Sequence, residues 1–360
     1  MLFFIMKLLI IIAEYNPFHQ GHKYHLSKAK KETGASHSLV LMGGNFLQRG
    51  DVAIEDKFIR AKKALDGGAD LVAELPFVYA SSWAREFAQG GVAIANKIPL
   101  PATLSFGSET GSISQLKNLL AKIDQIEKDK EHSYGDLVRK NLICPPKGAN
   151  DILGLEYLRA LKDTKSIHKA HTVLRLGQAY HDDKQSTFPS ASSLRRQIKE
   201  GEIPHDNPLF LEDFSDYIYS ALLTKDLLPT YGMIEGLENR LLKELGPNIS
   251  LEEYIDRLST KRYRPARLRR LLIHHLIGYT KLDHKKLKDV AYLRPLAYTK
   301  KGTQILSMVK NTPLKIILPH ERQGDPLISR SLELDLLASR VYNFKAGLSP
   351  GDFKRNLLHR

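Results

Sequence analysis

Hydrophobic and polar positions follow two different periods along this chain. In the first two hundred residues, short runs of aliphatic and β-branched side chains with no polar alternation are separated by stretches whose apolar residues recur every three or four positions. The runs are Leu8 to Ile12, Ser38 to Met42, Asp70 to Leu75 and Thr103 to Phe106, with a more polar fifth strand from His168 to Leu174. Continuous apolarity predicts strands covered on both faces, as in a parallel sheet. The intervening stretches predict helices from Gly21 to Lys31, Asp56 to Leu65, Ser82 to Asn96, Ile113 to Leu142 and, after a loop from Pro145, through Leu161. The alternation points to a doubly wound, Rossmann-like α/β domain, whose ligand crevice lies across the carboxyl ends of the strands.

Beyond Gly201 the strand signals stop. Amphipathic helices are expected from Leu209 to Leu222, Met233 to Leu245, Leu251 to Ser259 and Arg264 to Leu276, with shorter pieces to the end. The expected division is therefore an α/β domain over residues 1–200 and an all-α domain over 201–360, joined in Glu200-Gly201-Glu202-Ile203-Pro204.

The turn after the first run carries the chemistry. Residues Ile12-Ala13-Glu14-Tyr15-Asn16-Pro17-Phe18-His19-Gln20-Gly21-His22-Lys23-Tyr24-His25 read as strand, loop and helix N-terminus. There, free N–H groups and the helix dipole favour an anion. His19 and His22 form an H-x-G-H motif in which Gly21 lets the backbone approach a ligand. Two imidazoles so placed can donate to the oxygens of an α-phosphate as charge shifts during nucleotidyl transfer. The plainer alternative is a satisfied histidine pair at a helix start.

Other strand ends carry loops of similar composition. Gly43-Gly44-Asn45 through Asp51 and Gly107-Ser108-Glu109-Thr110-Gly111 are ligand-facing loops or plain turns. Asn150 or Asp151 can cap the helix that follows, and Ser190 to Arg196 combines hydroxyls with two arginines at a helix start, suited to phosphate or to capping.

Composition sharpens the choice of partner. Apolar residues make up 42% and charged residues 26%, as in a soluble globular protein. The excess of 54 Lys and Arg over 40 Asp and Glu gives a net charge of +14, which favours a polyanion, nucleic acid above all. Between Lys261 and Lys301 there are thirteen Lys or Arg against two Asp, beginning with Lys261, Arg262, Arg264, Arg267, Arg269 and Arg270. That cluster is a footprint for a phosphate backbone, or else a solvated helix face. The single cysteine, Cys144, excludes an internal disulfide and a thiolate metal cluster, and no metal site is expected. Lys7 interrupts the opening apolar run and no small-residue cleavage site follows, so Met6-Lys7 reads as the natural start and the chain as cytoplasmic, with no membrane span.

Taken together, Glu14 to His22, Gly44-Asn45-Phe46-Leu47-Gln48-Arg49-Gly50, Ala61 to Asp70, Phe87-Ala88-Gln89-Gly90 and Phe106-Gly107-Ser108-Glu109 resemble the bacterial tRNA(Met) cytidine acetate ligases of the HxGH nucleotidyltransferase superfamily. The likeness continues through Asn150 to Tyr157, the Arg175 region with Tyr180-His181-Asp182, and Lys261 to Gly278. Two departures are Gly43, where the family pattern has serine, and Lys147-Gly148-Ala149, where it has a proline-containing loop. The resemblance implies a nucleotidyltransferase domain with an added helical domain. It also implies a ligase that uses ATP and acetate to acetylate N4 of the wobble cytidine of elongator tRNA(Met), releasing AMP and pyrophosphate. By resemblance, ATP is held by Ile12 to His25, Gly107, Asn150, Arg175 and Leu176, with His19 and His22 catalytic and Mg2+ on the phosphates. The basic cluster then meets the tRNA, and no protein partner is implied. Two rivals remain: a ligase or adenylyltransferase acting on a small metabolite, which leaves the basic region without a task, and a non-catalytic RNA-binding module that keeps a nucleotide pocket.

Overall fold

The computed structural model describes residues 6–128, 146–175, 189–318, 321, 324–352, 355 and 357–360. Cys144, Leu176 and Tyr180-His181-Asp182 lie outside them, as does the end of the helix expected to reach Leu142.

Five of the strands are the expected ones: β1 (Leu8–Ala13), β2 (His37–Gly43), β5 (Leu71–Leu75), β6 (Ala102–Ser108) and β7 (Lys169–Leu174). Between β2 and β5 sits a small antiparallel hairpin of β3 (Phe46–Leu47) and β4 (Asp51–Val52). β1 pairs in parallel with β2 on one side and β6 on the other, and β2 with β5 and β6 with β7 extend the parallel sheet outward. Chain order thus reverses about β1, and the crevice between the carboxyl ends of β1 and β6 is the topological switch point of an open α/β sheet.

The absence of polar alternation in β1 has a direct structural cause. Leu8, Ile10 and Ile12 enter one apolar core and Leu9 and Ile11 the other, on opposite faces of the sheet. The first core is continuous with Phe214, Leu268 and Tyr342, so residues after 201 pack directly beneath the sheet.

They also join it, which corrects the expectation that strands end at Gly201. β8 (Tyr292–Tyr298) adds antiparallel to β5, and the short β9 (Lys315–Ile316) and β10 (Leu358–His359) pair with β8. Arg294 and Pro295 disguise β8 in sequence. Proline breaks a ladder, and the register against β5 slips between Val72 and Ala73, opposite Pro295. Arg294, which counts towards the basic cluster, is only 1% exposed and belongs to the interior.

The remaining described residues of this half are mostly helical: Leu211–Phe214 (a 3₁₀ turn), Ser215–Thr224, Leu237–Glu244, Leu251–Leu258, Pro265–Ile277, Lys281–Leu287, Lys300–Lys310 and Pro326–Lys345. Among the described residues no helix is long and apolar enough to cross a membrane.

Candidate active site

The loop after β1 turns sharply at Tyr15, whose φ of 50° lies in the left-handed region, and runs into the helix Gln20–Thr33. His19 is the N-cap of that helix. Its Nδ1 accepts from the Gly21 N–H at 3.0 Å, while His22 Nδ1 accepts from the His19 N–H at 3.3 Å. This is a capping box made from imidazoles in place of hydroxyl and carboxylate.

The caps settle the tautomers. A nitrogen that accepts a backbone N–H carries no proton of its own, so each neutral ring holds its proton on Nε2. The rings stack with centroids 3.7 Å apart, and among the described residues neither Nε2 has a partner. Two N–H donors are therefore left side by side for a ligand.

The surroundings keep both rings uncharged. Burial first, and then the charge of Arg175, bring the pKa of His19 down to about 4. His22 is held well below its ordinary value by burial and next by His19. His25, one helical turn further on, is lowered to about 4 by burial and then by His171. Its Nε2 meets Ser105 Oγ at 3.0 Å, Ser105 Oγ meets His171 Nδ1 at 3.1 Å, and His171 Nε2 lies 3.2 Å from Glu32. With Glu32 accepting from His171 Nε2–H, the serine donates to His171 Nδ1 and accepts from His25 Nε2–H, which leaves His25 Nδ1 unprotonated.

The other expected nucleotide contacts gather beside the histidines. Gly107 lies near the end of β6 with the Arg175 side chain against it, and the Arg175 N–H donates to the Ser108 carbonyl at 3.0 Å. Asn150 departs from its capping reading: Gly148 is the N-cap of the helix Ala149–Asp163, and Asn150 Nδ2 donates to Glu109 Oε1 at 2.5 Å. Glu109 also accepts the Asp151 N–H at 2.9 Å and lies 3.9 Å from Arg175 Nε. Glu109 thus gathers Asn150 and Arg175 from separate strands and helices onto one side of the crevice. A Cβ at position 148 would come within 2.6 Å of the Glu109 carboxyl carbon, which is why a glycine stands there. Asp151 holds the turn itself, accepting from Ser108 Oγ at 2.6 Å, from Thr110 and from the Lys147 N–H.

Arg60, which sequence reasoning did not single out, and Gly43, Asn16 and Arg195, which it did, tie together the loops around the crevice. Arg60 is fully buried. It donates to the carbonyls of Glu14 at 2.6 Å, Gly43 at 3.1 Å and Gly44 at 2.5 Å, and so clamps the ends of β1 and β2 together. The backbone of Gly43 is spoken for in this way, and its missing side chain lets Leu47 approach. Asn16 accepts the Ile54 N–H at 2.9 Å and donates to the Val52 carbonyl. Arg195 donates to the Asn16 carbonyl at 2.8 Å from the helix Ala191–Lys199. Ser190 is the cap of that helix, so of the hydroxyls and arginines grouped there Ser190 is structural and Arg195 positions the loop. The signal for Arg60 was present: Lys57, Arg60, Ala61 and Ala64 form one helical stripe, and cations inside a buried stripe demand partners.

The basic residues lie on another part of the rim. Lys261, Arg262 and Arg264 are exposed ahead of the helix Pro265–Ile277, and Arg267, Arg269 and Arg270 are on it and partly covered. Gly50, with φ of 72°, brings the β3–β4 hairpin so close that a Cβ would lie 2.7 Å from the Arg269 Cβ. Arg270 donates to the Gln48 carbonyl at 3.0 Å, and the Gln48 N–H donates to Glu14 at 2.9 Å, so two hydrogen-bonding steps join the basic helix to the histidine loop. Burial raises the Glu14 carboxyl pKa, with Arg49 and then Arg195 opposing it.

An open parallel sheet with neutral N–H donors at a helix start over its switch point is the architecture of an α/β nucleotidyltransferase. A sequence profile of the HIGH Nucleotidyl Transferase family matches residues 6–352. Proteins named tRNA(Met) cytidine acetate ligase from Caldicellulosiruptor saccharolyticus and Thermosipho africanus are 35% and 32% identical, each over 94% of both chains. The crystal structure of Thermotoga maritima TmcAL bound with alpha-thio ATP superposes with a TM-score of 0.83 at 28% identity, covering 98% of this chain and 99% of that one. The chain belongs to the HIGH nucleotidyl transferase family and, within it, to the tRNA(Met) cytidine acetate ligases.

Proposed function

We propose that this protein acetylates N4 of the wobble cytidine of elongator tRNA(Met) in two steps at the H-x-G-H crevice. An acetate oxygen attacks the α-phosphorus of ATP, the bond to the bridging oxygen breaks and pyrophosphate leaves. The cytidine N4 then attacks the acetyl carbonyl carbon, AMP departs, and the nitrogen gives up a proton to water. The observation that carries this reading is the pair of stacked imidazoles whose Nδ1 atoms are tied to backbone N–H groups. That fixes the two Nε2–H groups as neutral donors, ready to strengthen their bonds as charge moves onto the α-phosphate oxygens.

In this reading ATP lies along Ile12 to His25 with Gly107, Asn150 and Arg175 beside it, and with Leu176, which lies outside the described residues. The family likeness and the adjacency of Arg175 to His19 and to Glu109 support that placement. Mg2+ has no preformed cage: among the described residues no three His, Cys, Asp or Glu side chains converge. We assign it to the triphosphate itself, as is usual for this ion, and it supplies charge neutralisation there.

The part after residue 201, with Lys261 to Arg270, takes the anticodon end of the tRNA. The ATP and tRNA that this reaction would consume support a cytoplasmic location. The deciding experiment incubates the protein with ATP, acetate and unmodified elongator tRNA(Met) and determines the mass of the wobble nucleoside. An acetyl increment that disappears without acetate or ATP is expected, and an unchanged cytidine would refute the assignment.

A further inference from the structure

One aromatic residue remains unused by this account. Trp83 stands at the N-cap of the helix Ala84–Ala95, beyond the carboxyl end of β5, and is 44% exposed. A large ring left in water usually has freedom to move, but this one is fixed. Its Nε1–H donates to the Tyr231 hydroxyl at 3.2 Å, and that hydroxyl donates to Glu86 at 2.6 Å. The Tyr231 ring is in turn stacked on His284 at 3.9 Å.

Two guanidiniums flank the indole. Arg267 lies 5.9 Å and Arg270 5.8 Å from the ring centroid, and Arg267 also lies 5.2 Å from the Tyr263 ring. Arg267 therefore lies within cation–π distance of both Trp83 and Tyr263, and Arg262, 5.7 Å from the Tyr263 ring, extends the row into the exposed basic turn. Arg270 anchors the row to the histidine loop through Gln48.

We infer that this row is a stacking platform for an unpaired base of the RNA substrate, next to the nucleotide that enters the crevice. Single-stranded RNA is recognised by aromatic faces and guanidinium planes set in a positive surface, because every base offers a π-face while its phosphate meets the cation. The basic cluster around the row, thirteen Lys or Arg against two Asp between Lys261 and Lys301, favours a polyanion over a protein surface, and a phosphate alone would not need the rings. The platform rests on the acetyl transfer to tRNA proposed above.

Trp83 is the only tryptophan in the chain, so fluorescence excited at the red edge, where the fifteen tyrosines do not absorb, reports on this ring alone. Titrating the full chain with elongator tRNA(Met) should quench the emission saturably, with a midpoint equal to that of binding measured by filter retention. Heparin should bind without quenching. Trp83→Ala should raise the KM for tRNA roughly 5- to 150-fold, the worth of one stacked base, whereas Trp83→Phe, which keeps an aromatic face, should recover most of it. Acetylation of tRNA without any change in emission, quenching by heparin equal to that by tRNA, or a Trp83→Ala variant with the wild-type KM would each overturn the platform and leave the acetyl transfer standing. A chain that neither binds nor acetylates tRNA overturns both.

Discussion

The crevice at β1 and β6 and the ion cluster between β5 and β8 both bury titratable side chains, and they treat charge in opposite ways. In the cluster, Lys57 Nζ lies 2.7 Å from Glu74 and 2.6 Å from Asp352, and Arg294 bonds both Glu74 and, at 2.9 Å, Asp352. Two cations meet two anions, each within reach of both partners. Burial alone would raise the Asp352 carboxyl, yet Lys57 and Arg294 hold it far below the carboxylate range. In the crevice the same desolvation acts on imidazoles without carboxylate partners on their free edges, so they discharge. Paired burial makes a strut, while unpaired burial makes a neutral donor that waits for a charged ligand.

The largest effect should come from breaking the strut. Arg294→Met leaves Glu74 and Asp352 with one cation between them, and removing one partner of a buried network costs about 3–5 kcal/mol. Urea denaturation monitored by circular dichroism measures it. A loss under about 1 kcal/mol would place Arg294 among the surface-like pairs and end the contrast drawn here.

The crevice should respond in activity instead. His19→Asn keeps a side-chain oxygen able to cap the helix but removes the Nε2–H, so acetate-dependent exchange of pyrophosphate into ATP should fall about 100- to 1000-fold. The melting temperature should hardly move. Unimpaired exchange would remove the donor role from His19.

The two regions also differ in how much of them could be read from the sequence. The inner strands β1 and β2 were legible because each is buried on both faces, and the histidine turn because capping is local, spanning three residues. The strut was not: Lys57 lies in the buried stripe of its helix, but nothing local shows that Glu74, Arg294 and Asp352 come from elsewhere in the chain to surround it. Asn150, which together with Asp151 was open to a capping role, instead meets Glu109, 41 residues away, a partner that no local pattern shows. The two-residue strands β9 and β10 are too short to show a period at all.

Neutral imidazoles give the crevice its own pH dependence. The folded pKa values of His19 and His25 lie near 4, below the ordinary 6.5, so the unfolded chain binds more protons between those limits. Their contribution to stability is complete above pH 6.5 and lost as pH falls through about 4. Melting curves at intervals across that range should descend on the acid side, and His19→Asn should flatten the descent. A slope identical to wild type would mean that His19 binds its proton in the native crevice as readily as in the unfolded chain.

The smallest effect should arise where the histidine loop is held from outside. Ser190 Oγ accepts the Ser193 N–H at 3.1 Å and starts the helix that carries Arg195 to the Asn16 carbonyl. Ser190→Ala removes a cap worth about 1 kcal/mol, typically 0.5–2 kcal/mol, without touching the crevice. The helix should fray by its first turn, and Arg195 should hold Asn16 less firmly. The expected result is a modest rise in KM for ATP with kcat little altered, together with faster amide exchange confined to residues 191–195. Arg195→Met should reproduce the kinetic change without the exchange. If Ser190→Ala alters kcat while Arg195→Met leaves KM alone, the helix acts on the loop by some route other than that arginine. The crevice would then depend for its shape on Arg60 and the hairpin alone.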